Sequence, residues 1–194
     1  MVKKVIFLDI DGVLQPFTQF RFDHIRDGDM DSVYEELQRK NGVDYRKYDI
    51  YDVAAVYYDW DSRAVNELKR VLKTADAGIV LSSSWRDESN ERMINFFRIH
   101  DLDRYFVDST VYLESTYDLS PYIAILNLDD DMKYQTRSIE ILLYLHEHPE
   151  IETYVAIDDM TLKGLGEHFV QTTTKLTSEL ADKCIEVLGN LSLK

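Results

Sequence analysis

Short apolar runs alternate along this chain with longer amphipathic segments, and the alternation limits the folds that the chain can adopt. Three runs, at 5–8, 79–81 and 153–157, have the length and composition of buried strands. The segments 62–73 and 136–146 place apolar residues at helical spacing. Strands that alternate with helices are typical of parallel sheets joined by crossover helices. We therefore predict an α/β fold with a doubly wound, Rossmann-like parallel sheet.

The stretch 15–58 interrupts the alternation because it is acidic and rich in tyrosine. Within it, 31–40 favours a short helix, and 51–58 (YDVAAVYY) favours a strand or a loop. We expect the stretch to be a small insertion after the first strand, near the strand tips, and hence a candidate cap. Further along, 87–100 predicts a helix and 123–128 predicts an extra strand.

The composition of the chain excludes several classes of site and partner. Its 194 residues suit a single domain over 1–194, because no linker divides it. The formal net charge of -14 weighs against general binding of duplex DNA, which normally needs a basic surface. The single cysteine, Cys184, rules out an internal disulfide. Since no apolar run approaches the roughly 18 residues of a membrane span, we expect no membrane partner and a cytoplasmic location.

Polar signatures follow three of the apolar runs directly. Asp9 and Asp11 follow the first run (DIDG), 82–86 (SSSWR) follows the second, and Asp158 with Asp159 ends the last. One interpretation is turn or helix capping, since such residues are common after strands. The other is a ligand site, because the carboxyl ends of parallel strands share one edge, where ligands bind. The recurrence at three strand ends favours the site.

These residue types suit phosphoryl chemistry. Mg²⁺ takes oxygen ligands and keeps several waters, so Asp9 and Asp158 are candidate ligands, with the backbone carbonyl of Asp11 as another. Asp9 is also a candidate nucleophile, and Asp11, two residues on, points to the same side as a candidate general acid and base. Ser82 can donate a hydrogen bond to a phosphoryl oxygen.

A positive group is also needed opposite the transferring phosphoryl group. Arg137 and Lys133 are both candidates, since both lie near the N-terminal end of the helix that precedes the last long strand. Arg86 is a candidate for binding substrate phosphate, and its alternatives are pairing with an acid or capping. Ser83 is a candidate substrate contact or a partner of backbone groups at the turn. Trp85 favours core packing over a substrate platform.

The motifs resemble those of the haloacid dehalogenase (HAD) superfamily, in its phosphatase-like branch. The DIDGV stretch is similar to the first motif of that superfamily, which implies Asp9 as nucleophile and Asp11 as general acid and base. Ser82 matches the second motif. Asp158 and Asp159 match the acidic fourth motif, which implies that they help to hold Mg²⁺.

The third motif of the superfamily is normally a lysine, and the match here is divided between two residues. Lys133 keeps the expected residue type, and Arg137 has the expected position about one helix before the last long strand. Arginine keeps the positive charge and binds phosphate in a forked geometry, although it does not substitute freely for lysine.

A narrower resemblance extends over the stretches 79–86, 148–159 and 169–188, which are similar to the HAD domain of Swiss Army knife RNA-repair proteins. It implies phosphate removal from a phosphorylated small molecule or a nucleic-acid end. Our hypothesis is a Mg²⁺-dependent phosphomonoester hydrolase that acts through an aspartyl-phosphate. The alternatives are a phosphotransferase with the same intermediate and a non-catalytic module that binds metal or phosphate.

Overall fold

A parallel sheet of five strands forms the centre of the protein. The computed structural model describes residues 2–17, 20–86, 89–113 and 118–190. The strands are β1 (Lys4–Leu8), β2 (Gly78–Leu81), β3 (Phe106–Ser109), β4 (Thr153–Asp158) and β5 (Phe169–Gln171). Their order is β3-β2-β1-β4-β5, and every neighbouring pair is parallel. The predicted α/β, Rossmann-like fold is confirmed.

The described residues also form α-helices that connect and flank these strands. They are α1 (Phe20–Asp27), α2 (Met30–Asn41), α3 (Ile50–Ala54), α4 (Ser62–Ala75), α5 (Glu91–Ile99), α6 (Ser120–Leu126), α7 (Thr136–Glu147) and α8 (Ser178–Asn190). A π-helical turn follows α3, and short 3₁₀ turns lie at Tyr45–Lys47, Asp103–Tyr105, Asp130–Tyr134 and Gly166–His168. The helices predicted at 31–40, 62–73 and 136–146 correspond to α2, α4 and α7.

Helices cover both faces of the sheet, and the side chains of β1 alternate between them. Ile6 and Leu8 belong to a core shared with α4, α5 and α8, which includes the buried thiol of Cys184. Phe7 lies on the opposite face, where its ring packs edge-on against Tyr144 of α7 with centroids 5.6 Å apart. The sheet is therefore buried on both sides, as the unbroken apolar strands require.

The prediction of a strand or loop at 51–58 is wrong, because these residues are helical. Asp49 caps α3 by accepting a hydrogen bond from the backbone N–H of Tyr51 at 2.8 Å. Val53 and Val56 are buried three positions apart, which is a helical spacing. The tyrosines of this segment favour a strand in the sequence pattern, but tertiary packing outweighs that propensity.

The strand predicted at 123–128 is also wrong, since its first four residues belong to α6. Pro121 stands in the first turn of this helix, where it is tolerated, and Asn127 ends the helix in a left-handed conformation with φ 51°. The observed helix in the region 87–100 is shorter than predicted, because α5 begins at Glu91. Residues 87 and 88 of that prediction lie outside the described part of the chain.

The strand register brings three predicted site residues to one edge. Leu8, the last residue of β1, is aligned with the last residue of β2 and with Ile157 of β4. Asp9, Ser82 and Asp158 follow these aligned positions directly. Their backbones stay connected there, because the N–H of Ser82 donates to Leu8 and that of Asp9 donates to Ile157, at 2.9 and 3.0 Å.

Candidate active site

Three carboxylates from two strand ends form a compact cluster. Asp9, Asp158 and Asp159 each place a carboxylate oxygen so that the three oxygens lie within 4.8 Å of one another. Burial raises the pKa of Asp158, and the nearby charge of Asp9 raises it further. The pKa of Asp159 is raised by the same two causes. The cluster therefore concentrates negative charge in a place that water screens poorly.

This cluster fits a magnesium ion by its chemistry. All three side chains offer oxygen, the ligand type that Mg²⁺ prefers, and a few carboxylates leave room for water and phosphate oxygens. Burial is the main cause of the raised pKa values of Asp158 and Asp159, and the charge of Asp9 is the second. A divalent cation would offset this second cause.

Gly12 allows the loop after β1 to approach this cluster closely. Its φ of +69° is in the left-handed region, and a Cβ atom placed on it would lie 2.6 Å from the side chain of Asp159. The carbonyl oxygen of Gly12 accepts a hydrogen bond of 2.7 Å from the hydroxyl of Thr172, beyond β5. The position of Asp159 therefore depends on the missing side chain at residue 12.

Arg137, the second residue of α7, lies against the carboxylate cluster. Its Nη1 atom is 3.0 Å from Oδ2 of Asp158 and 3.3 Å from Oδ1 of Asp9. The same atom donates a hydrogen bond to the backbone carbonyl of Ser82. One guanidinium group thus contacts residues from the ends of β1, β2 and β4.

Arg86 lies in a buried polar network beside Arg137. Its Nη1 forms an ion pair with Oε2 of Glu140 at 2.8 Å and donates to the carbonyl of Val111 at 2.8 Å and to the hydroxyl of Thr110. Glu140 also accepts a hydrogen bond of 2.7 Å from the backbone N–H of Leu113. Pairing with an acid was one of the alternatives that the sequence left open for Arg86, and direct contact with substrate stays a prediction.

Asp11 is held by two N–H donors. The indole Nε1 of Trp85 donates to its Oδ2 at 3.0 Å, and Nε2 of Gln15 donates to its Oδ1 at 2.8 Å. Burial raises the pKa of Asp11 and the hydrogen bond from Trp85 opposes that rise. The amide of Gln15 keeps its place because the chain turns tightly between the two residues, forming an isolated bridge from Asp11 to Gln15.

The serines of the SSSWR stretch have different surroundings. Ser82 is buried, and its hydroxyl oxygen has no hydrogen-bond partner among the described residues. The hydroxyls of Ser138 and Thr153 share this state, so Ser82 is distinguished by its place at the end of β2 beside Arg137, where a hydroxyl can meet a ligand or water. Ser83 is also buried, and its hydroxyl accepts a long hydrogen bond of 3.4 Å from the backbone N–H of Trp85. Its contact with substrate stays a prediction.

Lys133 has different neighbours from Arg137. It lies in the 3₁₀ turn before α7, where its Nζ pairs with Asp130 at 2.9 Å and lies 5.4 Å from the ring centre of Tyr134. Its side chain is partly exposed. Among the described residues, the ion pair of Lys133 is with Asp130 and not with the carboxylate cluster that Arg137 contacts.

Three residues near the site have roles that the sequence did not predict. The sequence assigns no role to Gln15 or Glu140, and it favours core packing over a substrate platform for Trp85. Trp85 does pack edge-on against Trp60 and Phe96, and it also donates to Asp11. The signal for Glu140 is an acid inside the apolar stretch SIEILLYL, where a solvated residue would not be expected. Gln15 carried no comparable signal.

The arrangement agrees with a comparison against known families. Residues 5–181 match the family described as the HAD domain in Swiss Army Knife RNA repair proteins. The chain belongs to this family. Comparisons with curated proteins and with solved structures found no match.

Membership of this HAD family confirms the resemblance inferred from the strand-end motifs. The matched residues include the whole carboxylate cluster and Arg137, so the candidate site lies within the HAD domain. The protein is accordingly a HAD-like hydrolase by family. Within the described residues, no helix combines the length and apolarity needed to cross a membrane.

Proposed function

We propose that this HAD domain is a Mg²⁺-dependent phosphomonoester hydrolase that acts through a covalent phosphate on Asp9. The observation that carries the proposal is the double contact of Arg137, whose Nη1 reaches both Asp9 and Asp158 inside a cluster of three carboxylates. A nucleophile, a counter-charge and candidate metal ligands thus share one strand edge.

In this proposal, Asp9 and Asp11 divide the chemistry between them. An oxygen of Asp9 forms a bond to phosphorus while the bond from phosphorus to the leaving oxygen breaks, and Asp11 gives that oxygen a proton. Asp11 then takes a proton from water, which attacks phosphorus and releases Asp9. Trp85 and Gln15 each donate a hydrogen bond to Asp11 and so fix the orientation of its carboxyl group, which supports its role as general acid and base.

The remaining residues orient and neutralise the phosphoryl group. The buried hydroxyl of Ser82 is available to donate to a phosphoryl oxygen. Mg²⁺, held by Asp9, Asp158, Asp159 and the backbone carbonyl of Asp11, would supply positive charge opposite the phosphoryl oxygens. The contacts of Arg137 favour it over Lys133 as the third-motif cation.

We also propose that 15–58 is a cap within a single domain. Val33 and Leu37 of α2 belong to the same apolar core as β1, which supports one domain. Arg21 of α1 pairs with the buried Asp59 at 2.8 Å, which fastens the start of the insertion to the residue that directly follows it. A cap built in this way would restrict the choice of substrate beside Asp9.

The substrate class that we propose is a phosphomonoester on a small molecule or on a nucleic-acid end. The family description names RNA repair proteins, which supports the nucleic-acid end as a candidate. The net charge of -14 supports contact with an end rather than with a long phosphate backbone.

The experiment is hydrolysis of an aryl phosphate with and without Mg²⁺ by the wild type and by Asp9→Asn. A matched control is Asp182→Asn, which changes an exposed acid of α8. We expect Mg²⁺-dependent turnover in the wild type and the control, and a loss of at least about 100-fold in Asp9→Asn. Acid quenching followed by mass spectrometry should find a phosphoryl group on the peptide that contains Asp9.

Two results would replace the proposal by one of its alternatives. Negligible hydrolysis by every variant, with Mg²⁺ still bound, would indicate a non-catalytic module. Transfer of the phosphoryl group to an added alcohol in preference to water, through the same phosphorylated Asp9, would indicate a phosphotransferase.

A further inference from the structure

A cavity of about 330 Å³ opens directly beside the carboxylate cluster. Arg137 lines this cavity and also contacts Asp9 and Asp158. Met160 lines it too, and its backbone N–H donates to Oδ1 of Asp158 at 2.8 Å. The cavity and the cluster therefore share a wall, so a molecule with a phosphoryl group at Asp9 could extend into the cavity.

Three loops at this edge of the sheet each offer the cavity a large exposed side chain. Tyr112, after β3, is 62% exposed, Tyr134, before α7, is 78% exposed, and Met160, after β4, is 55% exposed. Single exposed apolar residues are ordinary, but three from separate loops around one cavity form a patch that indicates a binding site. Two of the three are aromatic.

Each of the two aromatic rings has a cation over it. The guanidinium carbon of Arg86 lies 5.2 Å from the ring centre of Tyr112, and Nζ of Lys133 lies 5.4 Å from that of Tyr134. Cations over rings restrict their orientation. Rings that are oriented and exposed in a site with positive charge are typical of proteins that stack the bases of single-stranded nucleic acids.

We infer that this cavity binds the base of a nucleoside phosphate by stacking on Tyr112 and Tyr134. The inference rests on the proposed function for the place of the phosphate, at Asp9. The volume is at the lower end of the roughly 300–1,000 Å³ of small-molecule pockets, which suits one nucleoside unit. Thr136 and Thr161 also line the cavity and can hydrogen-bond the edge of a base.

The shared chemistry is a base attached to a terminal phosphomonoester, and it has two sources. One is a free mononucleotide, and the other is the terminal nucleotide of a strand. The net charge of -14 opposes an extended contact with a nucleic-acid strand. Both sources would therefore present one nucleotide to the cavity.

The test measures binding calorimetrically on Asp9→Asn with Mg²⁺, so that no ligand is consumed. Adenosine 5′-monophosphate should bind at least about tenfold more tightly than ribose 5-phosphate, because stacking of one base contributes roughly 1–3 kcal/mol. Adding Tyr112→Leu and Tyr134→Leu together should reduce this ratio to near one. The matched control is Tyr105→Leu, which removes a tyrosine that has Arg104 over its ring at 4.7 Å but lies outside the cavity lining, and which should keep the ratio.

Further ligands distinguish the sources. Adenosine 3′-monophosphate, a 5′-phosphorylated oligonucleotide and the same strand with an abasic terminal residue are compared in the same assay. A strand that binds as tightly as the mononucleotide, and loses affinity when its terminal base is absent, supports a strand end. A strand that binds less tightly than the mononucleotide supports the free nucleotide.

Several results would overturn the inference. Equal affinity for adenosine 5′-monophosphate and ribose 5-phosphate would do so, as would an equal loss of the ratio in Tyr105→Leu. Base-dependent binding without hydrolysis by the wild type would overturn the proposed function and leave the base site standing. Hydrolysis of ribose 5-phosphate without any preference for the nucleotide would overturn the base site alone. Binding of neither compound would overturn the base site, and the hydrolysis of aryl phosphate would then decide the proposed function separately.

Discussion

The indole Nε1 of Trp85 and the Oδ2 atom of Asp11 are 3.0 Å apart and share a hydrogen bond. Because indole N–H is only a donor, this contact fixes Oδ2 as an acceptor. Gln15 donates to the second oxygen, so the side chain of Asp11 has a defined orientation before any substrate arrives. The contact links the second strand-end motif to the first.

We predict that Trp85→Phe reduces kcat for phosphate hydrolysis by about tenfold or more, since a hydrogen bond to a charged group contributes roughly 1.5–3 kcal/mol. The phenyl ring keeps most of the packing against Phe96. The control is Trp60→Phe, because the Nε1 of Trp60 is buried without a hydrogen-bond partner among the described residues. Equal rate losses in the two variants would show that packing, and not the hydrogen bond, is responsible.

The cation assignment predicts unequal effects for Arg137→Ala and Lys133→Ala. Loss of Arg137 should reduce kcat by about 100-fold or more, because a group that faces developing charge in a buried site is removed. Loss of Lys133 should change the rate on an aryl phosphate by less than about threefold, since its ion pair with Asp130 is exposed. Steady-state kinetics with saturating Mg²⁺ measure both, and the reverse order would transfer the role to Lys133.

Gly12→Ala should weaken Mg²⁺ binding, because the new methyl group would overlap the side chain of Asp159. The matched control is Gly42→Ala. Gly42 has the same φ of +69°, and nothing lies within 4 Å of a Cβ placed there. A left-handed alanine costs roughly 1 kcal/mol in both variants. Because only Gly12→Ala also creates the overlap with Asp159, chemical denaturation should show a larger loss of the free energy of unfolding in that variant. Calorimetry should find reduced Mg²⁺ affinity only in that variant, and equal affinities would contradict the prediction.

Glu140→Gln should lower the free energy of unfolding by about 3 kcal/mol or more, because it leaves the buried guanidinium of Arg86 without its counter-charge. The comparison is Glu91→Gln, which breaks an exposed ion pair with Lys47 and should cost less than about 1 kcal/mol. Urea denaturation of both variants measures the difference. Similar losses would mean that Glu140 is better solvated than its burial indicates.

The stability of the protein should depend on His100 below pH 6.5. Burial lowers the pKa of His100 from 6.5, and Lys69 and Lys40 lower it further, against the hydrogen bond of its Nε2 to the carbonyl of Val56 and the charge of Asp101. The unfolded chain therefore gains a proton first as the pH falls, and the folded state loses stability between 6.5 and the lower folded pKa. Above 6.5 this contribution is fully present.

The check compares urea denaturation of the wild type and His100→Gln from about pH 7 to about pH 5, across the range in which histidine titrates. We expect the wild type to lose more of its free energy of unfolding over this interval, by at most about 1.4 kcal/mol per pH unit. Parallel losses in both proteins would show that His100 becomes charged in the folded state without penalty.

The strand-end residues could be predicted from the sequence because their cause is local and periodic. An unbroken apolar run predicts a buried strand, and parallel strands direct their carboxyl ends to one edge. The positions of Asp9, Ser82 and Asp158 follow from these two facts, and the aligned ends of β1, β2 and β4 agree with them. The choice between Arg137 and Lys133 does not follow, because both are long cations separated by one helical turn.

Contacts between distant loops could not be predicted from the sequence either. The pairing of Trp85 with Asp11 spans 74 positions and depends on how two loops pack above the sheet. Helix α3 depends on capping by Asp49 and on the burial of Val53 and Ala54, which outweigh the β-forming character of its neighbours. Helix α6 buries no residue and depends instead on Pro121 in its first turn and on Asn127 at its end.

The central position of β1 has a consequence for folding kinetics. Asp9 follows β1 near the start of the chain, whereas Asp158, which shares its carboxylate cluster, ends β4 much later in the sequence. Pairing of such distant segments requires a long loop to close before the contact forms, which slows folding. During refolding, secondary structure should therefore recover before hydrolytic activity, because the carboxylates of the cluster come together in one of the last steps.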